Sequence, residues 1–174
     1  MKKSIIASVV MLGFIGTAAH AANNDISFLG AVTSTTCNLT TSVGGVAQPN
    51  GVVQLGTVAP EKEGSTVEFS LMPINKTDGA CTGLTDKQTA TMSWASASLG
   101  ANGFGATSGA ASDSVVEVNS VNSKVPGAVN ISSSVIDFAA NKVATEGLKF
   151  NAKLKAGKTA GDFKSVASIA IAYK

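Results

Sequence analysis

The chain has 174 residues, of which 44% are hydrophobic and 14% are charged, and its formal net charge is +2. It contains no arginine and a single histidine, His20. Proton transfer near neutral pH relies mainly on His, and bidentate recognition of phosphate relies on Arg. The composition therefore argues against an enzyme of the usual hydrolytic type and against a nucleic-acid-binding protein, while the length is sufficient for one sizeable core.

Residues 1–21 are typical of a secretory signal peptide. Lys2 and Lys3 follow Met1, an eleven-residue apolar run extends from Ile5 to Ile15, and Ala19 and Ala21 offer the small residues of a cleavage site. A transmembrane anchor would need about 20 apolar residues. We therefore expect cleavage after Ala21 and a mature chain that is not inserted in a membrane, in which 11 lysines balance 11 acidic residues.

An alternating stretch, Asn23 to Cys37, would be the first part of the mature chain. Ile26, Phe28, Gly30 and Val32 share one face, and this period of two predicts a β-strand. A strand so close to a free end completes either its own sheet or the sheet of another chain.

Seven further runs alternate in the same way, the run 129–138 less cleanly than the others, with turn residues between them. They are 52–58, 65–74, 89–95, 115–121, 129–138, 148–156 and 165–174. In the last run, Ala167, Ile169, Ile171 and Tyr173 share a face. Residues 42–51 and 98–114 are predicted as loops, the second because it is too small and polar to pack. About eight short strands at regular spacing indicate one all-β domain, a sandwich.

Cys37 and Cys81 are the two cysteines of the chain. An even number in an exported protein favours a disulfide bond over a metal site. Two separate buried thiols are the alternative.

Three patterns that could carry chemistry have simpler interpretations. The glycine-rich segment 103–109 lacks the strand and helix that a nucleotide-binding loop needs. Asp78, Asp86 and Asp113 lack the spacing of a calcium loop and are predicted as solvated loop residues. The lysines at 149, 153, 155, 158 and 164 could form a basic patch, but the solvent-facing side of a half-buried strand is the simpler account. We therefore expect no metal, no cofactor, no nucleic acid and no enzymatic activity.

The two ends of the chain carry a recognisable pattern. Ile26, Phe28, Gly30 and Val32 followed by Cys37 match an apolar residue, then F-x-G-x-V, then Cys, and the C-terminal end adds a penultimate Tyr173 and Gly161. Together with the segment 52–58 and the cysteine pair, they make the sequence similar to the major pilins of enterobacterial chaperone–usher fimbriae, the type-1 fimbrial subunit family. The resemblance covers essentially the whole chain.

This resemblance implies an incomplete immunoglobulin-like β-sandwich, the pilin fold, with an N-terminal donor strand. Residues 22–33 would be the donor extension and 34–174 the sandwich, with Cys37–Cys81 pinning its first strand to the core. The donor face would comprise Asn24, Ile26, Phe28, Gly30 and Val32, with Asn24 at a position where many family members have Gly. The groove and the chaperone-contact strand would comprise Gly161, Ala167, Ile169, Ile171 and Tyr173.

The implied function is that of a structural subunit that polymerises by donor-strand exchange into an adhesive fimbria on the bacterial surface. The implied partners are neighbouring pilin subunits, a periplasmic chaperone, an outer-membrane usher and a tip adhesin. The alternative is a fimbrial adhesin or minor subunit that itself binds a host receptor, although the mature length leaves no room for a separate lectin domain. A self-complete periplasmic sandwich would instead keep its own first strand.

Overall fold

The computed structural model describes residues 37–174, in which the chain forms short antiparallel strands and two single-turn helices. The strands are β1 (Leu39–Val43), β2 (Val46–Gln48), β3 (Val67–Pro73), β4 (Thr89–Ala95), β5 (Leu99–Gly100), β6 (Gly103–Gly105), β7 (Val115–Ser120), β8 (Gly127–Val129), β9 (Val135–Ala139), β10 (Leu148–Lys155) and β11 (Ser168–Tyr173). The helices are α1 (Gly79–Thr82) and α2 (Lys142–Thr145). The expected signal peptide and donor extension lie outside the described residues.

The strands form two antiparallel sheets. The larger sheet has the order β2-β1-β3-β10-β7-β6-β5, with β8 paired to β7 beside β6. The smaller sheet has the order β11-β4-β9, so β4 is its centre and β11 is one of its edges. The all-β class predicted from the sequence is confirmed.

Aromatic side chains join the two sheets. Phe150 of β10 stacks on Phe69 of β3 at 5.3 Å between ring centroids, and it meets Phe138 of β9 edge-on at 5.6 Å. Trp94 of β4 lies 5.4 Å from Phe150 and 5.5 Å from Phe104 of β6. Offset and edge-on pairs of this kind stabilise a core beyond the burial of their area. The molecule is therefore a two-layer sandwich with its core between the sheets.

The clearest sequence patterns produced the predicted strands. Along β10, Leu148, Phe150, Ala152 and Leu154 are buried and alternate with half-buried polar residues. In β4, Ala90 and Met92 have no exposed surface. Alternation works here because one side of each strand faces the other sheet and the opposite side faces solvent.

Two stretches predicted as loops contain strands. Residues 42–51 include a hairpin between β1 and β2, closed by Gly44 and Gly45 at φ of 58° and 81°. Positive φ at both central residues is what the two-residue hairpin turn requires. Residues 98–114 include the β5–β6 hairpin, because Phe104 is only 2% exposed and packs on Trp94. The burial of this one aromatic side chain stabilises the hairpin, although the neighbouring residues are small and polar.

Two predicted strands also need correction. The run 129–138 is divided between β8 and β9, which belong to different sheets, by a turn in which Asn130 Oδ1 accepts from the Ser132 amide at 2.9 Å. Residues 52–58 belong to neither sheet.

No helix within 37–174 is long and apolar enough to cross a membrane.

Candidate functional site

An open groove of about 1180 Å³ runs between the two sheets, and we refer to it as the groove. The larger sheet supplies its apolar base through the inward side chains of β3, β7 and β10, and the smaller sheet supplies Trp94 and Ile169. The base residues are Phe69, Leu71, Val116, Val118, Ala152 and Leu154. The same alternation that builds the core therefore also forms the base of the groove, where these six side chains are buried.

The edge strand β11 forms one side of the groove. It pairs with β4 and with no other strand in the described part of the chain, and its register places Ile169 opposite Trp94, Ile171 opposite Met92 and Tyr173 opposite Ala90. Ile169 is 39% exposed, whereas Ile171 and Tyr173 are half-buried against the core. An edge strand has one row of N–H and C=O groups without a ladder partner. This side can accept another strand.

Residues 52–58 line the opposite side of the groove. Val53 and Leu55 are half-buried and pack against the core, which explains the alternation seen in the sequence. Within residues 37–174, however, no backbone hydrogen bond links this segment to another one. Its polar backbone groups are therefore available to a strand lying between it and β11.

Two loops close one end of the groove, and we call this pair, residues 107–114 and 157–164, the clasp. The amides of Thr107 and Ser108 donate to the Lys164 carbonyl at 2.8 and 3.2 Å, and the Lys164 amide donates to the Ser108 carbonyl at 3.0 Å. The Ala111 amide donates to the Asp162 carbonyl at 3.1 Å. The clasp thus fixes the chain just before β11 begins.

Two glycines allow the loops of the clasp to approach this closely. Gly161 has φ of 145°, and a Cβ there would lie 2.5 Å from the Cβ of Ala110. Gly109 has φ of 102°, and a Cβ there would lie 2.0 Å from the carbonyl oxygen of Asp162. Both the backbone conformation and the lack of space therefore require glycine.

Asp113 also holds the clasp together. Its carboxylate accepts the Lys158 amide at 2.7 Å and the Thr159 amide at 3.2 Å, while the Ser114 hydroxyl accepts the Gly157 amide at 3.0 Å. Partial desolvation raises the pKa of Asp113, but these hydrogen bonds outweigh it and hold the pKa below its usual value. Asp113 is an exposed loop residue, as predicted, and its hydrogen bonds to residues 158 and 159 are a role that the sequence did not indicate.

The disulfide bond lies toward the other end of the groove. Cys37 and Cys81 are joined with Cα atoms 4.9 Å apart, as the sequence predicted, and both residues are buried. The hydroxyl of Tyr173 donates to the carbonyl oxygen of Cys37 at 3.5 Å. Burial raises the pKa of Tyr173 to about 12. The final strand and the first described residue therefore meet here.

The lysines of β10 lie on the outer face of the larger sheet and are paired with acids. Lys155 contacts Glu117 at 2.6 Å and Glu63 at 3.4 Å, and Lys153 contacts Glu63 at 3.1 Å. The bond to Glu117 raises the pKa of Lys155, and the bond to Lys153 lowers the pKa of Glu63. The prediction of a solvent-facing side of the strand is correct for Lys149, Lys153 and Lys155, whereas Lys158 and Lys164 belong to the clasp.

The groove is built for apolar contact and backbone pairing. Asp162 and Lys164 are the charged residues that line it, and both belong to the clasp. Among residues 37–174, no group of three or more potential metal ligands occurs. The groove can therefore bury one row of apolar side chains of an added strand and form hydrogen bonds with the backbone of that strand.

The predicted acceptor residues are placed as follows. Gly161, Ala167 and Ile169 line the groove, and Ile171 and Tyr173 continue the same strand against the core. The predicted donor residues Asn24, Ile26, Phe28, Gly30 and Val32 lie outside the described residues. The sequence did not identify residues 52–58 as the second side of the groove. Their alternation predicts a strand, but it does not show that this segment lacks a pairing partner. The sequence also did not identify Phe163, which lines the groove from a polar loop.

Known proteins are similar to this chain in sequence or in architecture. No protein-family model matches the chain. The chain is 41% identical over 175 residues to the F107 fimbrial protein of Escherichia coli, with 100% of each chain covered. Its fold is similar to the solved structure of the P pilus rod subunit PapA, with a TM-score of 0.52, 14% identity, and coverage of 86% of this chain and 100% of that chain. At that identity, the structural likeness indicates the fold alone.

Proposed function

The chain belongs to the fimbrial proteins, and on that premise we propose that it is a structural subunit of a fimbrial shaft that polymerises by donor-strand exchange. In this proposal, residues 22–33 of one subunit lie in the groove of the next. The observation that carries it is the groove itself, with β11 on one side and residues 52–58 on the other, each with backbone groups that are unpaired within residues 37–174. The role is structural and not enzymatic.

The physics of an inserted strand supports this assignment. Its backbone would pair with β11 on one side and face 52–58 on the other, which satisfies groups that cost free energy when they are buried unpaired. Ile26, Phe28 and Val32 would each contribute about 1.5–3 kcal/mol by leaving water. Strand addition of this kind is an established mode of recognition between chaperones and pilins.

The polarity of the subunit favours an open fibre. The acceptor groove and the donor segment are different surfaces, so every contact is head-to-tail and the chain of contacts does not close. Asn24, Ile26, Phe28, Gly30 and Val32 form the donor face in this proposal, and Gly161, Ala167, Ile169, Ile171 and Tyr173 belong to the acceptor side.

The proposal also covers the route to the cell surface. Residues 1–21 act as the signal peptide, and a periplasmic chaperone covers the groove before the next subunit does. An outer-membrane usher exports the growing fibre, and a tip adhesin ends it. Family membership supports the surface fimbrium, and the open groove supports the need for a chaperone.

Deleting residues 22–33 tests the donor assignment. We expect the shortened chain to bind its chaperone but to form no fibres in electron micrographs, because its groove remains intact while its donor is missing. Normal fibres from this deletion would contradict the proposal.

A peptide spanning residues 23–34 tests the groove directly. Added to chaperone-released subunit, it should raise the melting temperature, since a ligand at 100 times its Kd stabilises by about 2.7 kcal/mol. A peptide with Phe28→Asp should lose this effect, whereas Leu29→Asp, on the opposite face of the alternating strand, should retain it. No shift with any peptide would indicate a self-complete domain.

A further inference from the structure

The smaller sheet ends in two strands that are long enough to accept a further strand. β11 has six residues and β9 has five, whereas β2 and β5, at the two ends of the larger sheet, have three and two. Very short edge strands are poor templates for pairing. A strand could therefore be added to the smaller sheet at β11, beside the groove, or at β9, on the opposite edge.

The hydrogen bonds of the central strand β4 show which backbone groups point out of the β11 edge. Lys174 and Thr89 exchange both backbone hydrogen bonds, each 2.9 Å. The register of β11 on β4 continues this pattern at every second residue. The N–H and C=O groups of Ile169, Ile171 and Tyr173 therefore face outward, toward the groove.

The same reasoning identifies the outward groups of β9. The Ala140 amide donates to the Gln88 carbonyl oxygen at 3.0 Å, so the even-numbered residues of β9 bond to β4. The backbone groups of Val135, Asp137 and Ala139 then face away from the sheet. Asp137 is the middle residue of this row.

A loop covers the middle of the β9 edge, and we call residues 121–126 the edge loop. The Lys124 amide donates to the Asp137 carbonyl oxygen at 2.7 Å. The Lys124 side chain reaches past β9 to β4, where its Nζ donates to Thr89 Oγ1 at 2.5 Å. Pro126 follows in the edge loop and has no N–H group to offer to a further strand.

The edge loop is also held on the side of the larger sheet. The Asn122 side chain donates to the Gly147 carbonyl oxygen at 2.9 Å and accepts the Lys149 amide at 2.8 Å. The next residue, Ser123, is buried, and its hydroxyl lies 2.8 Å from the hydroxyl of Ser120. Lys124 therefore extends to the β9 edge from a fixed base.

We propose that the edge loop confines strand pairing to β11, and that Lys124 is the residue that closes the β9 edge. A covering loop, an edge lysine and a proline are means by which sheets avoid unwanted pairing. This inference rests on the proposed function, in which a strand is accepted at β11. Pairing of a second copy of this chain at β9 would instead join subunits side by side and would interrupt a linear fibre.

The substitution Lys124→Pro opens the β9 edge, because it removes both the N–H that bonds to Asp137 and the charged side chain. The mature chain is measured by sedimentation velocity, with the peptide spanning residues 23–34 filling the groove. The unaltered chain should be monomeric. In Lys124→Pro the Kd of self-association should fall at least about tenfold, which corresponds to roughly one net hydrogen bond.

Val125→Pro is the matched control. It places a proline at the adjacent residue, which is 82% exposed, and keeps the Lys124 amide. This variant should remain monomeric.

Two further variants separate an opened edge from a misfolded chain. Inserting two glycines between Ser123 and Lys124 lets Lys124 leave the edge without changing any strand, and this chain should also self-associate. Adding Val135→Lys to Lys124→Pro should restore the monomer, because residue 135 is 58% exposed on the β9 edge and a lysine there opposes pairing.

The inference would be overturned if Lys124→Pro or the glycine insertion folded and stayed monomeric, or if Val135→Lys did not reverse the self-association. Failure of the proposed function would look different, since the peptide would then not raise the melting temperature of the unaltered chain.

Discussion

Gly161 lies so close to Ala110 that a Cβ at position 161 would stand 2.5 Å from the Cβ of Ala110 and 3.3 Å from its Cα. This contact is one of the points at which the two loops of the clasp touch. It fixes the chain seven residues before β11 begins and so helps to place the side of the groove.

Replacing Gly161 with Ala should destabilise the domain. Overpacking costs about 1–3 kcal/mol, and the positive φ of 145° adds strain for a residue with a Cβ. Equilibrium urea unfolding measures the change. Gly127→Ala is the matched control, because a Cβ there meets nothing within 4 Å, and it should shift stability by less than about 1 kcal/mol. Equal stability of the two variants would contradict the role of the clasp.

Replacing Ile169 with Asp should abolish fibres. Ile169 is 39% exposed in the groove, so an inserted strand would bury the new carboxylate without a partner, which costs several kcal/mol. Electron microscopy of surface fibres and the amount of subunit in the periplasm report the result. Val125→Asp places the same charge at a site that is 82% exposed and away from the groove, and it should assemble normally. Normal fibres from Ile169→Asp would count against the groove as the assembly site.

Reducing the disulfide should lower stability by about 4 kcal/mol in the chain-entropy model, because Cys37 and Cys81 are separated by 44 residues. Urea unfolding with and without reductant measures the effect. The chain has no other cysteine, so reduction changes this bond alone. The double variant Cys37→Ala with Cys81→Ala should match the reduced protein and should not respond to reductant. An unfolding midpoint that does not move on reduction would show that the bond does not hold the fold.

Tyr173 should titrate far above a free phenol. It is the only tyrosine of the chain, so the ultraviolet absorbance of phenolate reports on it alone, and its pKa in the folded protein should be about 12 because of burial. The unfolded value is about 10. The folded state therefore holds its proton more tightly, and this contribution to stability is complete below about pH 10 and is lost as the pH rises to about 12.

Tyr173→Phe serves as the control for this titration. Lysines also lose charge in the same range, so the part of the stability loss that disappears in the Phe variant belongs to the phenol. A folded-state pKa near 10 would show that the hydroxyl is not buried against Cys37.

Several features could be predicted from the sequence because they depend on local periodicity. The alternation in residues 148–155 and 89–95 specifies strands with one buried side, since side chains on a strand point to alternate faces. The disulfide bond between Cys37 and Cys81 could be predicted because the chain has no other cysteine. The alternation of side chains along a strand also predicted that one face is shared by Ala167, Ile169, Ile171 and Tyr173.

Other features were decided only by the tertiary structure, because they depend on which segments meet. The alternation of residues 52–58 is that of a strand, yet the segment has no ladder partner in the described part of the chain. The small, polar stretch around Phe104 contains a hairpin because Trp94 offers that ring a buried contact. The sequence by itself determined which side chains share a face. The packing of the two sheets decided where a groove remains between them in residues 37–174, because a groove is a relation between distant segments that no local pattern records.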